Sequence, residues 1–223
     1  MTPLRQLGAI LWKDISAELR TKEMFSSMFV FAFLAIVVFN FAFELRVDNV
    51  RQVAPGILWV AFSFAGVLGL NRSFILEKDR GCLEGLLLSP LDRSLVYFAK
   101  VLSNLLFMLV VEALALPIFT ALFNLPLLRL DLGVVILLGT MGFAGVGTLF
   151  SAMVVNTRAR EVLLPVLLFP IATPVLIASV KLTGGLLDGL PLLAMGNWLR
   201  LVGAFDAIFL AVSYMTFDYV VEE

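Results

Sequence analysis

"VLSNLLFMLVVEALALPIFTALF", residues 101–123, carries one charged residue, Glu112, within a run that is otherwise almost entirely apolar. A helix rises about 1.5 Å per residue, so a run of this length is about as long as the hydrocarbon core of a bilayer is thick. Backbone groups find no water in that layer and must bond within the segment, which favours a helix. This stretch therefore predicts a transmembrane helix.

Five more windows approach or meet the same length: residues 24–43, 54–70, 132–155, 162–180 and 201–217. The chain is 61% hydrophobic and 15% charged, with a mean hydropathy of +1.03, well above the apolar share of a soluble domain. The alternating pattern of a membrane barrel is missing, and the polar linkers are too short for a separate soluble domain. We therefore expect an all-α integral membrane protein, in which six transmembrane helices form a single transmembrane domain over residues 1–223.

Lys and Arg residues are shared unequally between the two ends of these windows. Eleven lie on the side of the N-terminus and five on the other side. The eleven are Arg5, Lys13, Arg20, Lys22, Arg72, Lys78, Arg80, Arg93, Lys100, Arg158 and Arg160. Because cytoplasmic loops are enriched in Lys and Arg, both termini are predicted to be cytoplasmic.

Residues 1–23 form an arm with the pattern of an amphipathic helix. Its apolar face is formed by Leu4, Leu7, Leu11, Ile15 and Leu19. The opposite face carries Arg5, Lys13 and Arg20, and Glu18 departs from the pattern. Such a helix lies in the membrane surface, so we expect an interfacial helix. It acts either as a plain lipid anchor or as an anchor that also contacts a cytoplasmic partner.

The longest predicted cytoplasmic loop, residues 71–93, contains "EKDRGCLEGLLLSP", residues 77–90. Leu83, Leu86 and Leu87 have the i, i+3, i+4 spacing of one helix face, and Pro90 ends the helix. A short amphipathic helix of this kind suits a coupling element that seats in the groove of a partner. It also suits a connector whose leucines rest on the bilayer, and spacing alone leaves both interpretations open.

Two carboxyl groups lie inside predicted spans, Glu112 and Asp206. Placing such a charge at the centre of a span costs about 2.5–3.5 kcal/mol, so each is expected to face protein or water. Each is a candidate functional group, or else a hydrogen-bonded carboxyl that joins helices or subunits. Gly139, Gly142 and Gly145 predict a close helix-packing seam, either within the bundle or between two copies.

Two aromatic residues and a glycine-rich segment are predicted to lie at the surfaces of the membrane. Trp59 lies near the outer end of a span and Tyr97 near the inner end of another, as is typical of interfacial anchors. Residues 181–197 are glycine-rich, apolar and nearly uncharged. This composition favours re-entrant or interfacial half-helices on the outer face.

The sequence lacks residues that metal ligation and nucleotide binding usually require. The chain has no histidine, the usual protein ligand of haem iron, and a single cysteine. It also lacks the G-x-x-x-x-G-K-[ST] loop that cradles nucleotide phosphates. We therefore expect no catalytic residue, no metal site and no directly bound cofactor, so that the chain is not an enzyme.

The stretch "FILEKDRGCLEGLLLSPLDRSLVYFAKVLSN", residues 74–104, resembles the signature of haem exporter protein B. That family is the permease-type membrane subunit of the bacterial cytochrome c maturation system. The resemblance rests on Glu77, Gly81, Leu83, Glu84, Leu86, Leu87, Leu88, Ser89, Pro90, Tyr97, Lys100 and Asn104. The six spans and the "LWKD" motif in the arm, residues 11–14, are also similar, so the resemblance extends over essentially the whole chain.

The resemblance implies a fold like that of type-2 ABC exporters, in the bacterial inner membrane. It makes the following residues the contact with a soluble ABC ATPase: Glu77, Gly81, Leu83, Glu84, Leu86, Leu87, Ser89 and Pro90. ATP would then be bound by that ATPase, and haem by other partners. The further partners implied are a haem-handling membrane subunit, a small membrane subunit, a haem chaperone and a second copy of the chain; no nucleic acid is involved.

In this interpretation the chain couples ATP hydrolysis to haem handling, or to release of the haem-loaded chaperone at the outer face. The absence of histidine favours conformational work over direct iron ligation. Two alternatives remain: a type-2 ABC exporter permease for lipid, drug or glycan, and a passive membrane scaffold for assembly.

Overall fold

A computed structural model describes residues 3–44, 50–79 and 93–222. Its helices are α1 (Pro3–Thr21), α2 (Glu23–Glu44), α3 (Val50–Asp79), α4 (Arg93–Phe123), α5 (Leu130–Val154), α6 (Arg160–Leu187), a 3₁₀ helix (Leu192–Met195) and α7 (Gly196–Glu222). Throughout these ranges the chain has no strand. The helices α2 to α7 are long and apolar enough to cross a membrane, which confirms the predicted all-α fold with six spans.

Helices α3 and α5 lie at the centre of the bundle, and they are the most buried of the six. Helix α5 packs against α3, α4, α6 and α7. Its sequence "GTMGFAGVGTLFSA", residues 139–152, is rich in small residues, which lets several helices approach it closely. Polar side chains on α5 consequently lie inside the protein rather than against lipid.

Consecutive long helices run antiparallel, so the bundle has two distinct ends. Glu23 at the start of α2 bonds Arg72 near the end of α3, and Asn40 near the end of α2 bonds the carbonyl of Leu122 near the end of α4. We call the end that carries α1 the N-terminal face and the other end the opposite face. The N-terminal face also holds the end of α3 and the start of α4.

The predicted loop over residues 71–93 is shorter than expected. Helix α3 continues through Asp79 and α4 begins at Arg93, so residues 71–79 are helical. The length of an apolar run shows where the chain leaves the hydrocarbon core of the membrane. The helix itself can continue beyond that point, where its side chains are in polar surroundings. Lys100, one of the eleven basic residues assigned to the side of the N-terminus, lies within α4.

Helix α6 continues through Leu187, so residues 181–187 of the predicted outer segment belong to it. It ends in a Schellman motif, in which Leu190 N donates to Gly185 O and Gly189 N to Leu186 O. Gly189 has the positive φ of +83° that this ending requires. The 3₁₀ helix then folds back, with Met195 against Gly185, where a Cβ would collide with Met195 Sδ.

The interpretation of Trp59 and Tyr97 as interfacial anchors is wrong, because both are buried. Trp59 Nε1 donates to Thr183 Oγ1 at 3.0 Å, and the Tyr97 hydroxyl donates to Gly145 O at 3.1 Å. An aromatic side chain whose polar tip finds a partner inside the protein can be buried whole. These two side chains therefore join helices instead of marking the membrane surface.

Candidate functional site

Helix α1 is attached to the bundle through the partly buried carboxylate of Asp14. Asp14 Oδ2 accepts from Lys100 Nζ at 2.9 Å and from Ser103 Oγ at 3.0 Å, while Lys13 Nζ lies 3.3 Å from its Oδ1. Lys100 is only 2% exposed, and its ammonium also lies 5.7 Å from the centre of the Phe74 ring. Because a buried charge is costly unless it is paired, the position of α1 is fixed by this contact with α4.

Glu18, the residue that breaks the amphipathic pattern of the arm, also faces the bundle. It is buried, and its Oε1 accepts from the backbone N–H of Phe25 at 2.8 Å. Phe25 lies in the first turn of α2, whose N–H groups have no partner within the helix. A carboxylate there satisfies one donor and suits the positive end of the helix dipole. Helix α1 is thereby fixed to α2 as well as to α4.

The remaining surface of α1 is one exposed side that carries both apolar and basic residues. Trp12 and Leu19 are 70% and 66% exposed, and Arg5 and Arg20 are also exposed. Ile10 is instead buried in a cluster with residues of α3, α4, α5 and α7. The helix therefore has one side towards the bundle and one exposed side. Exposed apolar residues with arginines beside them suit a membrane surface.

Inside the bundle, Glu112 of α4 is hydrogen-bonded to Thr140 of α5. Thr140 Oγ1 lies 2.9 Å from each carboxyl oxygen, and Glu112 is buried. A cavity of about 10 Å³ beside them is bordered by Trp59, Ser63 and Met108 among others. That volume is about the smallest that admits one water molecule. The contact joins a central and a peripheral helix in the half of the bundle nearer the opposite face.

Asp206 of α7 lies against Gly142 of α5. A Cβ at position 142 would collide with Asp206 Oδ1, so only glycine leaves space for this carboxyl group. Asp206 is 3% exposed, and neither of its oxygens has a hydrogen-bonding partner within residues 3–44, 50–79 and 93–222. Its surroundings thus differ from those of Glu112, which has a hydroxyl partner.

The three glycines predicted to form a packing seam all face other helices of the same chain. Added Cβ atoms would meet Trp59 and Ser179 at position 139, and Leu210 at position 145. Together with Gly142, they place α3, α6 and α7 close to the backbone of α5. Of the two alternatives, the structure places these glycines within the bundle.

Further hydrogen bonds connect α5 to its neighbours in the region between these glycines and the N-terminal face. Asn104 Nδ2 donates to Thr148 Oγ1 at 3.0 Å, and Ser151 Oγ donates to Leu70 O at 2.7 Å. Both lie in buried surroundings, where a satisfied polar contact fixes one arrangement of helices. Isolated Ser and Thr residues in apolar runs do not reveal such pairings, because their hydroxyls also bond their own helix.

The residues predicted to contact an ATPase lie largely outside the described residues. These are Gly81, Leu83, Glu84, Leu86, Leu87, Ser89 and Pro90. Glu77 belongs to the last turns of α3, and its side chain is also outside the described set. Of the helices that flank this segment, α3 ends and α4 begins at the N-terminal face. Among the residues that the structure describes, no group of three or more His, Cys, Asp or Glu could hold a metal ion.

Six apolar helices with a docked amphipathic helix and two intramembrane carboxyl groups define a multi-pass membrane protein. The chain belongs to the CcmB protein family, whose model matches residues 5–222. It is similar to heme exporter protein B of Rhodobacter capsulatus, with 29% identity over 185 residues, which is 82% of this chain and 85% of that protein. The resemblance inferred from residues 74–104 is thereby confirmed.

Two other relatives give the same result. Heme exporter protein B of Pseudomonas aeruginosa is 30% identical over 173 residues, covering 77% of each chain. Heme exporter protein B of Paracoccus denitrificans is 29% identical over 176 residues, covering 78% of this chain and 81% of that protein. The likeness therefore extends over most of the bundle and is not confined to one motif.

Proposed function

We propose that this chain is the membrane permease subunit of an ABC-type complex that exports haem. The observation that carries the proposal is the family match over residues 5–222, together with the name heme exporter protein B that its curated relatives share. The chain is then a transport component and not an enzyme. ATP is hydrolysed by a separate soluble ABC ATPase, consistent with the lack of a phosphate-cradling glycine loop in this sequence.

The ATPase is proposed to bind at the N-terminal face, on the segment between α3 and α4. The arrangement of the flanking helices supports this placement. Lys100 connects the start of α4 to α1 through Asp14, and Arg72 near the end of α3 bonds Glu23 of α2. A displacement of the segment is therefore passed to four helices at once.

The same helices lead from the N-terminal face towards the opposite face. Along α4, the chain passes from Arg93 at the N-terminal face to the buried Glu112. Helix α3 likewise connects Asp79 at that face with Trp59. Trp59 bonds α6 through Thr183, and Glu112 bonds α5 through Thr140. Packed helices with specific hydrogen bonds can move as units, so these contacts are the proposed route by which ATP-driven motion reaches the outer surface.

The work done at that surface is proposed to belong to cytochrome c maturation. Since the sequence has no histidine, haem iron is assigned to partners: a haem-handling membrane subunit, a small membrane subunit and a haem chaperone. The chain acts by conformational change, through which the haem-loaded chaperone is released at the outer face. It forms one permease domain in the bacterial inner membrane, with both termini cytoplasmic and, in the assembled complex, a second copy of itself.

Co-purification in mild detergent tests this function. A tagged chain should recover a protein that hydrolyses ATP, and also a membrane protein that handles haem. Recovery of the ATPase alone would favour a general type-2 exporter for lipid, drug or glycan. Recovery of other membrane proteins with no ATPase would favour a passive scaffold, and either result contradicts the proposal.

A further inference from the structure

A groove lies between α3 and α6 in the half of the bundle nearer the opposite face. It has a volume of about 410 Å³, and its walls are apolar apart from Trp59, Ser63 and Lys181. Val60 and Ile177, one on each wall, are 42% and 49% exposed. Because both helices are membrane spans, the groove opens sideways towards lipid.

The groove has the length of one leaflet. Its lining on α6 extends from Lys181 to Phe169, which is about 18 Å at the rise of an α-helix, and one leaflet of hydrocarbon is about 15 Å thick. Towards the middle of the membrane it ends where the rings of Phe64 and Phe169 meet, with centroids 5.0 Å apart. It therefore extends along the membrane normal from the level of Lys181 and closes near the mid-plane.

The shape of the groove suits an extended chain. A volume of about 410 Å³ is spread along about 18 Å of helix, and the groove is open along one side. It therefore has room for a single extended hydrocarbon chain.

Charge is present at one end of the groove only. Lys181 is exposed and is the one charged side chain among the lining residues, and within the described part of the chain no acidic group forms an ion pair with it. A lysine stem lies along apolar surface while its ammonium reaches the headgroup level. An apolar slot with a cation at its outer end complements an amphiphile with a negative head.

We propose that this groove binds one acyl chain of an anionic phospholipid from the leaflet at the opposite face, with the lipid phosphate at Lys181. The inference rests on the geometry of α3 and α6 and is independent of the proposed role in haem export. The lipid chain would contact Trp59 and Ser63, which also border the small cavity beside Glu112. The lipid would thus support the α3 wall next to the buried Glu112–Thr140 contact.

Tryptophan quenching by brominated lipid tests the proposal on the full chain. Replacing Trp12 and Trp198 by Phe leaves Trp59, at the groove, as the only tryptophan. The protein would be placed in phosphatidylcholine vesicles that contain either brominated phosphatidylglycerol or brominated phosphatidylcholine. One surface lysine favours an anionic lipid by about 1 kcal/mol, so phosphatidylglycerol should compete about fivefold better for the quenching site.

Two variants, each with a matched control, locate the site. Lys181→Gln should remove the preference for phosphatidylglycerol, whereas Lys22→Gln, at the N-terminal face, should keep it. Gly56 lines the groove and a Cβ there meets nothing within 4 Å, so Gly56→Phe should fill the slot without disturbing its neighbours and should lower quenching by either lipid. Gly203 has equally open surroundings, and Gly203→Phe should leave quenching unchanged.

Three outcomes would overturn the proposal. Equal quenching by the two lipids in the parent protein would mean that Lys181 does not select a negative head. Undiminished quenching in Gly56→Phe would place the bromine outside the groove. A Trp59 that neither lipid quenches would mean that protein, such as a second copy, covers this face.

Discussion

The ammonium of Lys100 and the carboxylate of Asp14 lie 2.9 Å apart, joining helix α1 to helix α4 across 86 positions of sequence. The lysine is 2% exposed and the Asp14 side chain 11%. The pair is thus a buried ion pair at the face where the proposed ATPase binds. It joins the amphipathic helix directly to the bundle.

Loss of the Asp14 carboxylate should loosen α1. Breaking a buried ion pair from one side costs about 3–5 kcal/mol, so Asp14→Ala should lower the free energy of unfolding by about that amount and expose α1 to protease. The measurements are denaturant unfolding in detergent and limited proteolysis. The matched change is Glu23→Ala, which removes an ion pair with Arg72 whose side chains are 58% and 43% exposed, and which should cost about 0–1 kcal/mol. Similar losses in the two variants would contradict the assignment of α1 docking to Asp14.

A Cβ at position 142 should be poorly tolerated. Gly142→Ala brings a methyl group onto Asp206 Oδ1 and close to Phe205, so we expect a loss of about 1–3 kcal/mol from overpacking. Gly133→Ala is the control, since a Cβ there meets nothing within 4 Å. Combining Gly142→Ala with Asp206→Ala should cost less than the sum of the two single changes, because the shortened side chain makes room. Additive losses would show that the carboxyl group does not define this contact.

The Thr140 hydroxyl should stabilise the fold through Glu112. Thr140→Val keeps the shape and removes the donor to a buried carboxyl group, which should cost about 1–3 kcal/mol. Thr173→Val is the matched control, because that hydroxyl is exposed and bonds only the carbonyl of Phe169 in its own helix. Thermal unfolding in one detergent gives the comparison. A loss in Thr140→Val no larger than in the control would mean that Glu112 obtains its stabilisation elsewhere.

Apolar length predicts the six spans because lipid imposes one requirement on every spanning segment. The same reasoning misjudges helix ends, since α3 continues through Asp79 and α6 through Leu187 after the apolar windows end. A helix needs only internal backbone bonds to continue, and those do not depend on hydropathy. Segment bounds predicted from composition therefore show where the chain enters and leaves the hydrocarbon core, and not where the helix begins and ends.

Side-chain partners are harder to predict than spans. Glu112 and Asp206 are conspicuous in the sequence because charge is rare in a span, but nothing in the pattern separates the hydrogen-bonded Glu112 from Asp206 beside its glycine. Asp14 looks like an ordinary charge of a surface helix, and Glu18 departs from the amphipathic pattern without indicating a partner, yet both face the bundle. Contacts across many positions of sequence depend on how whole helices pack, and helical periodicity within one segment does not contain that information.

Orientation in the membrane should follow the distribution of Lys and Arg. From the sequence, eleven of these sixteen residues belong to the side of the N-terminus, so both termini are expected in the cytoplasm. A reporter that is active only in the cytoplasm, fused after Glu223, should therefore be active, and one that is active only outside should be silent. The reverse result would place α1 and the segment between α3 and α4 outside, where no soluble ATPase could reach them.

The segment between α3 and α4 should decide binding of the ATPase. If Leu83, Leu86 and Leu87 form a ridge that seats in a partner groove, Leu86→Asp buries an unpaired charge at that contact, which costs several kcal/mol, about 3–5 by comparison with broken buried pairs. The ATPase should then be lost from a pull-down with normally inserted protein. Lys78→Ala is the control: the sequence predicts an exposed charge there, an exposed charge contributes about 0–1 kcal/mol, and recovery should stay close to that of the parent. Undiminished recovery with Leu86→Asp would make this segment a connector and would move the coupling contact to the exposed side of α1, where Trp12→Asp and Leu19→Asp become the decisive variants.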